Sequence, residues 1–299
     1  MSSINIKKLG LKQKVALSNF TTWRIGGEAE WFAEPQSIEE ITLLIKWSNE
    51  NNLICQVIGG GSNLLINDQG LQGLFISTKK LRGYQINEGT GEIEALSGES
   101  IPSLAGKAAK AGLEGLEWSI GIPGTVGGVC VMNAGAQGGS IAQCLESVRV
   151  LPLNGDCSYE ITKDNLNYSY RNSILQKEKV IVISAKFKLK PGYDPKEVSN
   201  RTKKNLNHRT ETQPYNLPSC GSVFRNPEPH KAGELIESLG LKGYSIGGAE
   251  ISRVHANFIV NNGNATAKDV QDLIDLIQEK VKANYGFCLH TEVKRIGFS

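Results

Sequence analysis

The chain of 299 residues has six cysteines, Cys55, Cys130, Cys144, Cys157, Cys220 and Cys288, and no two of them make a CxxC pair. That spacing suits isolated thiols in a reducing compartment. No cluster of His, Cys, Asp and Glu has the spacing of a metal site, so no metal is expected. No apolar run approaches the ~20 residues of a membrane span. The opening MSSINIKKLGLKQK lacks the apolar core of a signal peptide. A cytoplasmic protein is the expectation. The formal charge of +3 is too small to signal nucleic-acid binding. It still permits a cationic cleft for an anionic small substrate. Fixed-period repeats and low-complexity tracts are absent.

What the chain does have is glycine, 33 residues of it, in an otherwise ordinary globular composition of 39% hydrophobic and 21% charged residues. Length gives one to three domains and enough chain for a sizeable core without staples. Residues 1–18 read as a lead-in with at most one short helix. Ser37 and Glu40 make a capping-box pattern before Ile41, Leu44 and Ile45 at helical spacing. The runs 54–58, 73–78 and 93–97 read as strands, and Ser100 starts a helix that ends near Gly112. Strands follow at 148–153 and 180–189. In the second, Ile181, Ile183, Ala185, Phe187 and Leu189 alternate as on one sheet face. Asp194 and Pro195 start a polar, basic helix near a domain boundary at 190–210. The clearest helix is the last. Thr266 caps it, Val270, Leu273, Ile274, Ile277 and Val281 form one apolar stripe, and Gly286 fits its C-terminal cap. The run LHTEVKRI (289–296) reads as a closing strand.

Two glycine clusters carry the chemical signal. IGGGSN (58–63) follows a strand. Glycines there admit a close phosphate, and consecutive N–H groups can form an anion nest. A dinucleotide GxGxxG loop fails because Leu64 holds the third glycine position, and no Gly-Lys-Ser/Thr follows for a P-loop. By itself this cluster is equally a ligand loop or a tight turn. The second cluster is denser: SIGIPGTVGG (119–128), then NAGA (133–136). Each glycine forfeits roughly 0.5–1 kcal/mol relative to alanine in regular structure. Close backbone contact with a cofactor justifies that cost, and a buried crossover loop is the other reading.

Taken together, IGGGSN, SIGIPGTVGG and NAGA resemble the flavin loops of vanillyl-alcohol-oxidase-type (PCMH-type) FAD domains. With FTTWRIGGEAEWF (20–32), YSYRNS (168–173), SCGSVFRNP (219–227), GGAEISRVHANFIVN (247–261) and LHTEVKRIG (289–297), the chain resembles the UDP-N-acetylenolpyruvoylglucosamine reductase family over nearly its whole length. The resemblance implies an α+β fold. Residues 1–200 would be a PCMH-type FAD region of two lobes divided near 80–90, and 201–299 a C-terminal substrate domain. It implies non-covalent FAD, since no His or Cys stands at the first glycine loop. NADPH would be the hydride donor. The loops would hold the FAD through Gly59, Gly60, Gly61, Ser62, Asn63, Ser119, Ile120, Gly121, Pro123, Gly124, Thr125 and Gly128, with Asn133 and Gly135 nearby. The short stretch after Arg171 resembles the family branch without an inserted tyrosine loop. Arg225 stands where many relatives carry lysine.

The reaction implied is reduction of UDP-N-acetylglucosamine enolpyruvate to UDP-N-acetylmuramate, for peptidoglycan synthesis and so for cell shape and division. The flavin would carry the redox chemistry and the protein would orient, stabilise charge and deliver a proton. Arg171 matches the family's arginine for the substrate carboxylate, where a planar fork fits better than a lysine point charge. Taken alone, such an arginine is more often a surface ion pair. Ser222 matches the proton donor to C2; the GxSxG spacing of a nucleophile is absent. Glu292 shares a strand face with His290 and Lys294. The resemblance makes it a catalytic carboxyl, expected to be partly buried with a raised pKa. Substrate contacts are expected from Tyr170, Arg209, Gln213, Arg225 and Asn226, with Lys231 and Arg253 as further cations. His255 is a candidate too, although a structural hydrogen-bonding role suits it better. The expected partner is this small molecule, with no nucleic acid or membrane, and the expected state is a monomer. Two rivals remain: another PCMH-type oxidase, which would want a covalent-flavin histidine, and a non-catalytic nucleotide-binding module.

Overall fold

The computed structural model describes residues 9–298. The first eight residues of the expected lead-in lie outside the described ones. Its remainder is a strand, Lys12–Ala16, followed by a short 3-10 helix, Leu17–Phe20. The chain forms two compact units. The first takes residues up to Gln13, Trp31–Gly60 and Gln72–His208. The second takes Lys14–Glu30, Gly61–Leu71 and the residues from Arg209 onward.

In the first unit the helix Ile38–Glu50 starts where the sequence places it. Ser37 Oγ accepts from the Glu40 N–H at 3.2 Å, closing one orphan donor of the first turn. Glu40 reaches back one residue further than a capping box requires, accepting from the Gln36 N–H at 2.7 Å. The strands Cys55–Ile58 and Leu71–Ser77 pair in parallel, with Ile58 opposite Ser77. Ser100 caps the helix Ile101–Lys110.

A five-stranded antiparallel sheet completes this unit, in the order Tyr159–Thr162, Leu145–Pro152, Val180–Lys188, Glu92–Leu96, Tyr84–Asn87. The Val180–Lys188 strand departs from the expected single face. Its register against Leu145–Pro152 slips between Arg149 and Val150, where Ser184 and Val182 are the successive partners. The unpaired Ile183 is a bulge, and a bulge reverses which parity faces which side. Ile181 and Ile183 therefore join a core with Ile41, Leu44 and Ile76. Val182, Ala185, Phe187 and Leu189 join a second core with Leu104, Val126 and Val148. One strand thus feeds both cores of the unit.

The second unit is built on the helix Ala267–Tyr285. Val270, Leu273, Ile274, Ile277 and Val281 are all fully buried in a core with Trp23, Leu65 and Phe224. Burial on this scale is worth roughly 1.5–3 kcal/mol per side chain. Thr266 and Asp269 form a capping box, and Asp68 accepts from the Ala267 N–H at 2.8 Å and from the Lys268 N–H at 3.2 Å. Gly286 takes φ 79° at the other end. A short antiparallel sheet runs Ser245–Ile246, Ala249–Ile251, Ile259–Asn261. The expected closing strand 289–296 is broken in two. Only Lys294–Ile296 is regular strand, parallel to Leu64–Ile66, while Thr291 makes an isolated bridge to Phe224. The alternation survives the break, with Leu289 and Val293 buried.

Among the described residues no helix is long and apolar enough to cross a membrane. No group of three or more His, Cys, Asp or Glu among them could hold a metal ion.

Candidate active site

In the first unit the two glycine clusters meet. A Cβ added at Gly59 would lie 2.7 Å from Thr125 Oγ1, and one at Gly60 would lie 2.8 Å from Gly124 Cα. Neither contact leaves room for a side chain: Gly60 lets one backbone lie directly on another, and Gly59 makes room for the Thr125 hydroxyl. The 124–127 segment is also pinned from its far side. Val126 N–H donates to Glu99 O at 2.9 Å, Gly127 N–H to Ser97 O at 2.9 Å, and Ile101 N–H to Gly124 O at 3.3 Å. Thr125 Oγ1 is buried at the junction and finds no partner among the described residues. A buried hydroxyl without a partner costs roughly 1–3 kcal/mol. An oxygen-rich ligand laid on the glycine backbones would relieve that cost, so the residues present fit the diphosphate portion of FAD. Ser119 is committed elsewhere, its hydroxyl donating to Leu116 O at 2.8 Å. Ile120 packs against the core and Pro123 is exposed. Gly121 is buried and Gly128 half-buried.

Asn133 and Gly135 organise the arginine. Asn133 adopts a left-handed backbone (φ 43°) at the end of the Val126–Met132 helix. Its amide donates to Ser169 O at 2.8 Å and its oxygen accepts from the Ala142 N–H at 3.1 Å. This ties down the turn that carries Tyr170 and Arg171, where Ser169 and Asn172 exchange backbone hydrogen bonds. Arg171 is itself left-handed, at φ 54°. A non-glycine residue holds that conformation only when its surroundings determine it. Here the Gln176 amide donates to Arg171 O at 3.0 Å, and the Arg171 guanidinium donates to Gly135 O at 2.7 Å. Tyr170, half exposed, has the guanidinium over its ring at 5.3 Å. The site thus presents an oriented, half-buried guanidinium.

The second unit brings Ser222 and Glu292 to one bridge. Glu292 N–H donates to Val223 O at 2.8 Å, and Arg225 N–H donates to His290 O at 2.9 Å. Ser222 directly precedes Val223, and both Ser222 and Glu292 are half-buried. Asn63 holds the other side of the same segment: its amide donates to Glu292 O at 3.1 Å and its carbonyl accepts from the Lys294 N–H at 3.0 Å. Gly61, two residues earlier, lies against a different backbone: a Cβ there, at φ 67°, would collide with Phe20 O. Burial pushes the Cys220 thiol well above its ordinary pKa, and the nearby charge of Glu292 adds to the effect.

Sequence reasoning missed Asn257. Its backbone carbonyl accepts from the Val223 N–H at 2.8 Å. Its side chain accepts from the Phe224 N–H and donates to Phe224 O, both at 2.9 Å. The available signal was an amide set among apolar residues in VHANF, which only a buried backbone clamp would retain. Of the other substrate candidates, Arg225 has a buried Nε without a partner among the described residues. Asn226 Oδ1 accepts from the Ala232 N–H at 3.1 Å. His255 Nδ1 accepts from the Asn257 N–H at 3.2 Å, and burial, with Lys242 adding, pulls its pKa below the usual value. Arg253 and Lys231 are exposed and paired with Glu250 and Glu234. Arg209 and Gln213 lie at and just past the end of the Pro195–Thr212 helix.

The α+β fold and the glycine junction define a flavin-binding oxidoreductase, and residues 29–158 match the family model described as FAD binding domain. Residues 213–296 match the model described as UDP-N-acetylenolpyruvoylglucosamine reductase, C-terminal domain. The UDP-N-acetylenolpyruvoylglucosamine reductase of Prochlorococcus marinus (strain MIT 9313) is 59% identical over 293 residues, covering 98% of this chain and 95% of that one. That of Parasynechococcus marenigrum (strain WH8102) is 57% identical over 292 residues, covering 98% of each. The crystal structure of the Thermus caldophilus reductase superposes with a TM-score of 0.81 at 33% identity, covering 96% of this chain and 99% of that one. The chain belongs to the UDP-N-acetylenolpyruvoylglucosamine reductase family.

Proposed function

We infer that this protein reduces UDP-N-acetylglucosamine enolpyruvate to UDP-N-acetylmuramate with NADPH, a step in making the peptidoglycan precursor. The observation that carries the reading is the match to reductases of that name along 98% of the chain at 59% identity. FAD, when bound, supplies the two-electron transfer from NADPH to C3 of the enolpyruvyl group. It is held by Gly59, Gly60, Gly61, Ser62 and Asn63 on one loop and by Ser119 through Gly128 on the other, without a covalent link.

The rest of the chemistry belongs to the side chains. Arg171 binds the substrate carboxylate and stabilises the charge that spreads into it as C3 is reduced. Its fork is already oriented by Gly135 O, and Gln176 holds its backbone carbonyl, so little reorganisation is needed at the moment of reaction. Ser222 delivers a proton to C2 and recovers one from solvent. Glu292 is the catalytic carboxyl of this reading. Arg209, Gln213, Arg225 and Asn226 contact the nucleotide portion through their cationic and amide groups. Tyr170 is a further substrate contact, and His255 serves the structure through its hydrogen bond to the Asn257 N–H. We place the enzyme in the cytoplasm as a monomer. Its described cysteines are free thiols, as a reducing compartment maintains them.

The test is an anaerobic visible spectrum of the purified protein. Flavin absorbance should bleach with NADPH and return only on addition of the enolpyruvyl substrate. A bound flavin indifferent to that substrate would move the function to another oxidase of the same fold. In the Ser222→Ala variant, bleaching should proceed at the normal rate while turnover falls roughly 10²–10⁴-fold. Near-normal turnover would show that the proton comes from elsewhere.

A further inference from the structure

Arg225 and Lys294 lie on one face of the second unit. Phe224 bridges Thr291, and Arg225 N–H donates to His290 O at 2.9 Å, so Arg225 stands opposite His290 across the pair. Opposite residues share a face, and residues two apart on one strand share it too. Leu289 and Val293 are buried, while His290 and Lys294 are exposed and Glu292 is half-buried. Arg225, Glu292 and Lys294 therefore project from the same face, with the carboxyl between two cations. Lys294 is fixed at its backbone: its N–H donates to Asn63 O at 3.0 Å, and its strand runs parallel to Leu64–Ile66.

The two cations feel each other. Partial desolvation, with the Arg225 charge adding, pulls Lys294 below its usual pKa. Among the described residues neither side chain makes a hydrogen bond or an ion pair, with Glu292 or with any other group. Other cations of this unit are matched: Lys231, Lys242, Arg253 and Lys268 each meet a carboxylate within 3.2 Å. Arg225 and Lys294 also remain reachable. Arg225 Nε is covered by protein, but the terminal guanidinium nitrogens and Lys294 Nζ are not among the covered atoms. Two open cations without a counter-charge repel each other, and an anion bound to both would turn that repulsion into attraction.

We propose that Lys294 joins Arg225 in an anion site for the diphosphate of the nucleotide substrate. The inference rests on the reductase reading above and adds Lys294 as a binding residue. A diphosphate suits the pair because it offers two adjacent charged groups, one for a planar fork and one for a point charge. FAD also carries a diphosphate, but that one falls to the Gly59, Gly60 and Thr125 junction of the first unit. Arg225 and Lys294 share their face with Glu292, so the anion they hold belongs to the molecule on which Glu292 acts. The site involves no covalent step.

The experiment titrates the wild-type, Lys294→Gln and Lys294→Arg holoenzymes with UDP-N-acetylglucosamine, which has the diphosphate but no carboxylate. FAD affinity is measured on the same three proteins after stripping. Lys294→Gln should weaken UDP-N-acetylglucosamine at least about tenfold, as loss of a hydrogen bond to a charged group does, and leave FAD affinity unchanged. Lys294→Arg should restore most of the loss. The melting temperature of ligand-free Lys294→Gln should equal or exceed that of wild type, because one of two like charges is gone. If Lys294→Gln does not fold, Lys294→Met serves in its place. Three results overturn the inference: loss of FAD affinity instead, a raised KM for the enolpyruvyl substrate with UDP-N-acetylglucosamine binding unchanged, or no change in any constant, the behaviour of a solvated surface lysine. A wild-type holoenzyme that holds flavin yet ignores the enolpyruvyl substrate overturns the reductase reading itself, so the two failures are distinguishable.

Discussion

Arg171 shows how much arrangement one side chain requires. Its left-handed backbone, its contact to Gly135 O and its carbonyl's partner Gln176 all fix the direction of the guanidinium. Lysine would accept the same backbone strain but could not reproduce a planar fork. Arg171→Lys should therefore leave the melting temperature within a few degrees of wild type. It should leave flavin reduction by NADPH unchanged and slow flavin reoxidation by the enolpyruvyl substrate about 10²-fold, as loss of one oriented donor to developing charge does. Stopped-flow absorbance separates the two half-reactions. Arg171 could be read from its motif, YSYRNS. Its support could not, because Gly135 and Gln176 stand on separate stretches and signal nothing about each other in sequence. The same holds for Asn257, whose partner Phe224 is 33 positions away.

At the scale of elements, local rules worked where the deciding contacts were local. The caps at Ser37, Ser100 and Thr266 and the stripe from Val270 to Val281 lie where spacing places them. The bulge at Ile183 was invisible because it is set by register against Leu145–Pro152, not by any residue in its own run. The break in 289–296 arose likewise, from different partners for its two halves. The glycine junction invites a steric test. Gly60→Ala puts a methyl 2.8 Å from Gly124 Cα, a contact with backbone that cannot rotate away. It should raise the FAD dissociation constant at least tenfold and cost about 1–3 kcal/mol in urea unfolding. The capping box of the Ala267–Tyr285 helix carries a pH signature. Partial burial pushes the Asp269 carboxyl up, but hydrogen bonds from the Thr266 and Gly248 N–H groups and the Thr266 hydroxyl outweigh it, and the pKa is lowered overall. A carboxyl lowered in the folded state contributes stability above its unfolded pKa, ~3.9. That contribution is lost as pH falls through the lower folded value. Asp269→Asn should destabilise by about 1 kcal/mol at neutral pH. The gap from wild type should narrow towards pH 3 in a series of thermal melts.

For the whole molecule, the family and its chemistry were legible because its motifs span the chain in order. The composition of the compact units was not. The second unit combines Lys14–Glu30 and Gly61–Leu71 with the residues from Arg209 onward. Its core buries Trp23 and Leu65 beside Ile277 and Val281. Trp23 Nε1 donates to Ile259 O at 2.7 Å, and Asp68 caps a helix that begins at Ala267. On the ribosome these early segments emerge long before their partners. Synthesis runs at roughly 5–20 residues per second, so Leu65 waits on the order of ten seconds or more for the final helix. Throughout that interval Trp23, Ile25 and Leu65 have no native core to enter. Chains arrested before residue 267 should be cleaved by protease within 14–30 and 61–71, and full-length chains should resist. The nascent protein thus offers a holdase chaperone two apolar handles near its beginning, released only when translation is almost complete.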